Sequence, residues 1–182
     1  MKTFFMAIWL HKPYKASPLM RRMSRYLLII GCSQKKNSSL SAMKALDRYD
    51  GVNFRVLKKF RRERTLPHDL DIVIISAKYG FLNADDYTED YNMRMTPQRA
   101  LILHDRIIGE LNQLLREKAY EEIFINLGKD YLPAIEGLDS IVTCPVTYAE
   151  GRIGEKMSAM KRWITRIALM SDDQKTLTDL LL

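Results

Sequence analysis

A chain of 182 residues, 47% hydrophobic and 28% charged, is long enough for one domain with a substantial core and too short for two large ones. Its two cysteines, Cys32 and Cys144, exclude a disulfide framework, and its three scattered histidines, His11, His68 and His104, offer no metal-ligand spacing. A reduced, cytoplasmic protein without metal or cofactor is the expectation, and a formal charge of +7 points to a polyanionic partner.

The charge is unevenly placed. No acid precedes Asp47, so the first 46 residues hold nine Lys/Arg, while the remainder holds twenty against 22 acids. Residues 1–24 read as a basic arm. Their apolar stretch from Thr3 to Leu10 is far too short to span a bilayer and is followed by no small-residue cleavage site, so no membrane association is expected.

From Arg25 the pattern becomes regular. "RYLLIIG" is a continuous apolar run that suits a strand buried on both faces. "SLSAMKALDRYDG" reads as a short helix stopped by Gly51. "VNFRVLKKF" alternates Val52, Phe54 and Val56 and reads as an edge strand before the basic cluster Arg55, Lys58, Lys59, Arg61, Arg62 and Arg64. Such a run is a solvated surface or a phosphate-binding patch. "LDIVIIS" is a second core strand. Thr96-Pro97 then caps a long helix through "QRALILHDRIIGELNQLLREK", with one broad apolar face. "YEEIFINLG" is a third strand, "KDYLPAIEGL" a turn with a short helical piece, "DSIVTCPV" a fourth strand, and "IGEKMSAMKRWITRIALM" a second long amphipathic helix. The order predicts an α/β fold over residues 25–170: a mainly parallel sheet of four to five strands with helices on both faces. Residues 171–182 form a C-terminal extension whose leucines pack on the domain or on a partner, including a second copy.

In a parallel sheet the carboxyl ends of the strands converge on one edge, where α/β proteins place their working groups. There the sequence has "GCSQKK", "SAKYGFL", "NLGKD" and "CPVTYAEGRIG". "GCSQKK" lacks the second glycine of a Walker loop, but offers Cys32, Ser33 and Lys36 for an anion or base. In "SAKYG", Ser76 ends the strand, Lys78 is an anion holder or an amine nucleophile, Tyr79 a stacking platform, and Gly80 allows close backbone approach. Four acids follow, Asp85, Asp86, Glu89 and Asp90, then Tyr91. A carboxylate opposite Lys78 would serve proton transfer or stabilise a developing cation, and Asp90 with Tyr91 is the preferred pair. Gly128, Gly151 and Gly154 complete the expected pocket.

The string "ISAKYGFLNADDYTEDYNMRM", with Cys32, Ser33 and Lys36 after the first strand and Gly151 and Gly154 before the last helix, resembles the YaaA-like proteins and their uncharacterised Ser-Ala-Lys-Tyr-Gly relatives over residues 25–165. The resemblance implies an α/β fold, DNA association, protection against peroxide stress, and a site akin to DNA glycosylases and to deazaguanine-modifying enzymes such as archaeosine synthase.

Together these features lead to the expectation of a nucleic-acid- or nucleotide-associated enzyme acting on a nucleobase or its glycosidic bond. DNA, RNA or a nucleotide is its partner, and Lys78 and Asp90 are catalytic. A non-catalytic DNA-binding stress protein, and a phosphate-binding module of a larger complex, are the alternatives.

Overall fold

The computed structural model describes residues 26–39 and 41–179, with side chains through Ser171. The basic arm, and the leucines that end the chain, lie outside the described residues. In chain order the elements are β1 (Tyr26–Gly31), β2 (Met43–Lys44), α1 (Ala45–Arg48), α2 (Val52–Arg62), β3 (Leu70–Ser76), β4 (Gly80–Asn83), β5 (Tyr87–Thr88), α3 (Pro97–Glu117), β6 (Glu122–Asn126), β7 (Val146–Tyr148) and α4 (Ile153–Asp179). Two 3-10 turns, Lys129–Ile135 and Leu138–Ser140, lie between β6 and β7.

Five strands form one sheet in the order β4-β3-β1-β6-β7. β1 is central and parallel to both β3 and β6, and β6 is parallel to β7. The expected parallel α/β sheet is therefore present. Its fifth strand, β4, is antiparallel to β3 and follows it through the Ala77–Tyr79 turn.

Alternation of side chains along β1 divides the core in two. Leu28 and Ile30 face α2 and α4 with Phe54, Leu57, Trp163 and Ile164. Leu27 and Ile29 face α3 with Leu103, Ile107 and Leu111. All four β1 residues are inaccessible to solvent, which is why the run is uniformly apolar rather than alternating.

Three expected elements differ. The segment read as an edge strand from Val52 is helix α2, because Leu57 and Phe60 extend Phe54 into a three-residue repeat and leave Val52 exposed. Joining parallel β1 to β3 also requires a crossover, which a helix supplies. The helix expected over residues 39–51 shrinks to the single turn α1, since residues 35–37 pair back on residues 48–50 instead. "DSIVTCPV" is a 3-10 turn and a loop whose Ile141, Val142 and Cys144 pack on the α3 side. Pro145 cannot donate to a ladder, so its carbonyl accepts from Ile123 and the strand begins only at Val146.

Among the described residues no helix is long and apolar enough to cross a membrane.

Candidate functional site

The carboxyl ends of β1 and β3 are adjacent, and the loops leaving them carry the densest group of polar side chains expected from the sequence. Cys32 continues β1, its N–H donating to the Ile75 carbonyl at 2.9 Å. Ser76 ends β3, fully buried. Its hydroxyl lies 3.2 Å from the Tyr49 hydroxyl and 2.8 Å from that of Tyr91, and the two phenols are 2.8 Å apart. The three oxygens close a triangle of hydrogen bonds. Ser76 Oγ also accepts from the Tyr79 N–H at 3.2 Å and so fixes the turn that presents Lys78.

That turn is held from outside as well. Thr96 caps α3 by accepting from the Arg99 N–H, and Arg99 Nε then donates to the Ala77 carbonyl at 2.8 Å. Gly80 has a φ of +76°, which is strained for any residue with a Cβ.

Tyr91 is the centre of the group. Its ring meets Tyr79 edge-on at 5.5 Å between centroids and Tyr49 at 6.4 Å. Two ammonium groups from different strand ends face it: Lys36 Nζ at 4.2 Å from the ring centroid and Lys78 Nζ at 5.6 Å. Lys78 also lies 4.9 Å from the Tyr79 ring. A fourth phenol, Tyr131, closes the β1 side, donating to the Cys32 carbonyl at 2.9 Å with Cys32 Sγ at 3.3 Å. Gly31 and Gly128 make room for it; a Cβ on Gly31 would sit 3.1 Å from the Tyr131 ring.

Burial pushes the Tyr49, Tyr91 and Tyr131 phenols up from their ordinary value, with the neighbouring Cys32 adding to the shift in each. These phenols remain protonated at neutral pH and act as hydrogen-bond donors, not as bases. The cluster is thus cationic and aromatic, with neutral hydroxyls at its base. Ammonium groups hold an anion, rings stack on a planar group, and hydroxyls hold a polar edge.

The expected residues divide. Cys32, Lys36, Ser76, Lys78, Tyr79, Gly80, Tyr91 and Gly128 belong to this group or to its supports. The carboxylate within reach of Lys78 is Glu89, at 3.9 Å, and not Asp90. Asp90 is exposed and accepts from the N–H of Tyr91, so it shapes the loop. Ser33 Oγ accepts from the Gly51 N–H at 3.0 Å and donates to the Lys35 carbonyl, which ties the loop together. Gly151, at φ +83°, leaves room for Glu155, whose carboxylate caps the Arg152 N–H at the start of α4, where Gly154 also lies. Tyr49, Tyr131 and Arg99 were missed, and Glu89 was named among the four acids but passed over for Asp90. Tyr49 reaches Ser76 across 27 positions and Tyr131 reaches Cys32 across 99, so no local signal marks them.

The α2 cations are differently placed. Arg55 pairs with Asp50 at 3.0 Å, Arg61 with Asp47, and Lys59 with Glu63 at 3.8 Å. Lys58 donates to the carbonyls of Asp47 and Tyr49. Arg62 and Arg64 are exposed. Among the described residues no three His, Cys, Asp or Glu side chains are grouped to hold a metal ion.

The model of a family of unknown function, DUF6884, matches residues 27–162. No curated protein matches the chain. A crystal structure titled as that of AF0587, a protein of unknown function, is similar in fold with a TM-score of 0.49 and 14% identity. The match covers 78% of this chain and 44% of that one, so the chain spans under half the length of the solved protein.

Proposed function

The chain belongs to that DUF6884 family, and we propose that its strand-end site takes a nucleotide, or a nucleobase of a nucleic acid, and acts on the base or on its glycosidic bond. The observation that carries this reading is the facing of Lys36 and Lys78 toward one ring, that of Tyr91, from the ends of two neighbouring strands. A ligand with a phosphate for the ammonium groups and a flat heterocycle for the tyrosines matches both features at once.

The Lys78–Glu89 pair suits glycosidic-bond chemistry. When the bond from nitrogen to the sugar carbon breaks, its electron pair leaves with the base and positive charge develops on the sugar. An ammonium stabilises the first charge and a carboxylate the second. Water then supplies hydroxide to the sugar and a proton to the base. In this reading Lys78 works as a cation, and it does not attack carbon.

The test is a nucleotide and oligonucleotide panel, read by binding and by mass spectrometry of the products. Lys78→Ala and Lys36→Ala should each weaken binding about tenfold, the scale of one charge-assisted hydrogen bond. Lys78→Arg should retain binding, and borohydride should trap no adduct. A wild-type protein that binds no member of the panel, or alanine variants that bind as tightly as it does, would overturn the reading. A trapped adduct would make Lys78 the nucleophile instead.

A further inference from the structure

Helix α4 buries Met160, Trp163, Ile164 and Ile167 against the sheet and turns a different stripe outward. On that stripe lies a groove of about 530 Å³, lined by Lys161, Arg162, Thr165, Arg166, Leu169 and Met170. Leu169 is 63% exposed and Met170 45%. Arg166 is held by Glu122 at 2.7 Å, while Lys161 and Arg162 are exposed at the rim. An apolar floor beneath a cationic rim calls for an apolar occupant that carries acid.

Of the two ends of the chain, the C-terminal one has that composition. Residues 172–182, "DDQKTLTDLLL", hold three aspartates against one lysine and four leucines. The N-terminal residues 1–25 hold six Lys/Arg and no acid, so the rim repels them. The acidic segment cannot fold back onto its own groove. α4 is one unbroken helix from Ile153 to Asp179, which puts residues 172–179 further along the same rod.

From Lys156 to Met170 the helix carries Lys156, Lys161, Arg162 and Arg166 and no acid, and from Asp172 to Asp179 it carries three aspartates against one lysine. The helix is therefore basic before Ser171 and acidic after it. Such a helix complements itself when two copies run antiparallel about a two-fold axis, since each basic part then meets an acidic part. A parallel pair would oppose like charges.

We propose that the protein is a homodimer in which residues 172–182 of one copy cover the groove over residues 161–170 of the other. Sedimentation of the full chain at micromolar concentrations should give a dimer that weakens with salt. Lys161→Glu with Arg162→Glu should raise the dissociation constant about tenfold, on the scale of a few exposed ion pairs together. Asp173→Lys with Asp179→Lys should do the same, and combining all four should restore the wild-type value. Leu169→Glu should give a monomer, with circular dichroism confirming that it is folded. A wild-type chain that stays monomeric at tens of micromolar overturns the proposal. So does a dimer that either charge reversal leaves unchanged, or one that the combined variant fails to restore. The proposal stands independently of the function of the strand-end site.

Discussion

Two groups of cations in this molecule look alike as sequence and differ as structure. The α2 run packs six basic residues into ten positions, yet four of them meet Asp47, Asp50, Glu63 or backbone carbonyls at close range. Lys36 and Lys78 stand 42 positions apart in the chain and face one aromatic ring. A density of charge along the chain therefore says little about charge offered to a ligand. What decides it is whether acids return to the same surface, and for α2 the preceding helix α1 brings Asp47 there and the loop after it brings Asp50.

The extreme case of an internally committed cation gives the largest expected effect. Arg48 is fully buried, and its guanidinium donates to the carbonyls of Asn37, Ser39, Ser41 and Thr88 at 2.6–3.1 Å. It ties the loop that bears Lys36 to the strand that leads to Glu89 and Tyr91. Replacing it by methionine strands buried carbonyls and should cost about 3 kcal/mol, lowering the melting temperature by roughly 10 °C. A loss of less than about 1 kcal/mol in urea unfolding would show that those loops do not depend on it.

How much of this was legible follows from the same contrast. The sheet could be read because β1, β3 and β6 are buried on both faces and their apolar runs have no other explanation. The strand-end turns could be read because Cys32, Ser76 and Lys78 directly follow those runs. The partners that meet them from elsewhere could not. Tyr49 reaches Ser76 across 27 positions and Tyr131 reaches Cys32 across 99, and no local pattern encodes such separations. The choice of Asp90 over Glu89 failed on direction: neighbouring residues in an extended loop point to opposite sides, and only one turns toward Lys78. α2 was misread because a period of two over Val52–Val56 competed with a period near three over Phe54–Phe60, and the crossover favours the second.

The hydroxyl triangle sharpens the contrast from the other side, since its members are joined to one another. Tyr49→Phe and Tyr91→Phe should each cost about 1 kcal/mol. The double variant should cost clearly less than their sum, because one of the removed bonds is shared. Additive costs in a double-mutant cycle would mean that the three oxygens act separately.

Salt dependence tests the α2 side directly. Were all six cations free to neutralise phosphates, the logarithm of DNA affinity would fall with the logarithm of salt at a slope of about 5. With Arg62 and Arg64 the uncommitted pair, the slope carried by α2 should be about 2. Asp47→Asn releases Arg61 and should raise that slope by about 1, with stability changing by under about 1 kcal/mol. A wild-type slope near 5 that Arg55→Ala and Arg61→Ala both reduce would show the surface pairs exchanging freely with phosphate.

The smallest effect expected is a titration, and it reads the α2 pairing at a single atom group. The Arg55 hydrogen bond holds the Asp50 carboxyl below its ordinary value, against a weaker opposing effect of desolvation, with Lys35 and Lys58 adding to the lowering. A folded value below the unfolded one means that the carboxylate contributes stability above the unfolded value of about 3.9, and that this contribution is lost as pH falls through the folded value. Carboxyl-carbon NMR should therefore place the Asp50 midpoint below the ordinary aspartate value. Arg55→Gln should move it back upward, since the neutral amide removes the charge that favours the ionised form. An Asp50 midpoint that stays put in Arg55→Gln would mean that Arg55 spends its time in solvent, available to phosphate. The two groups of cations would then be alike in structure as well as in sequence.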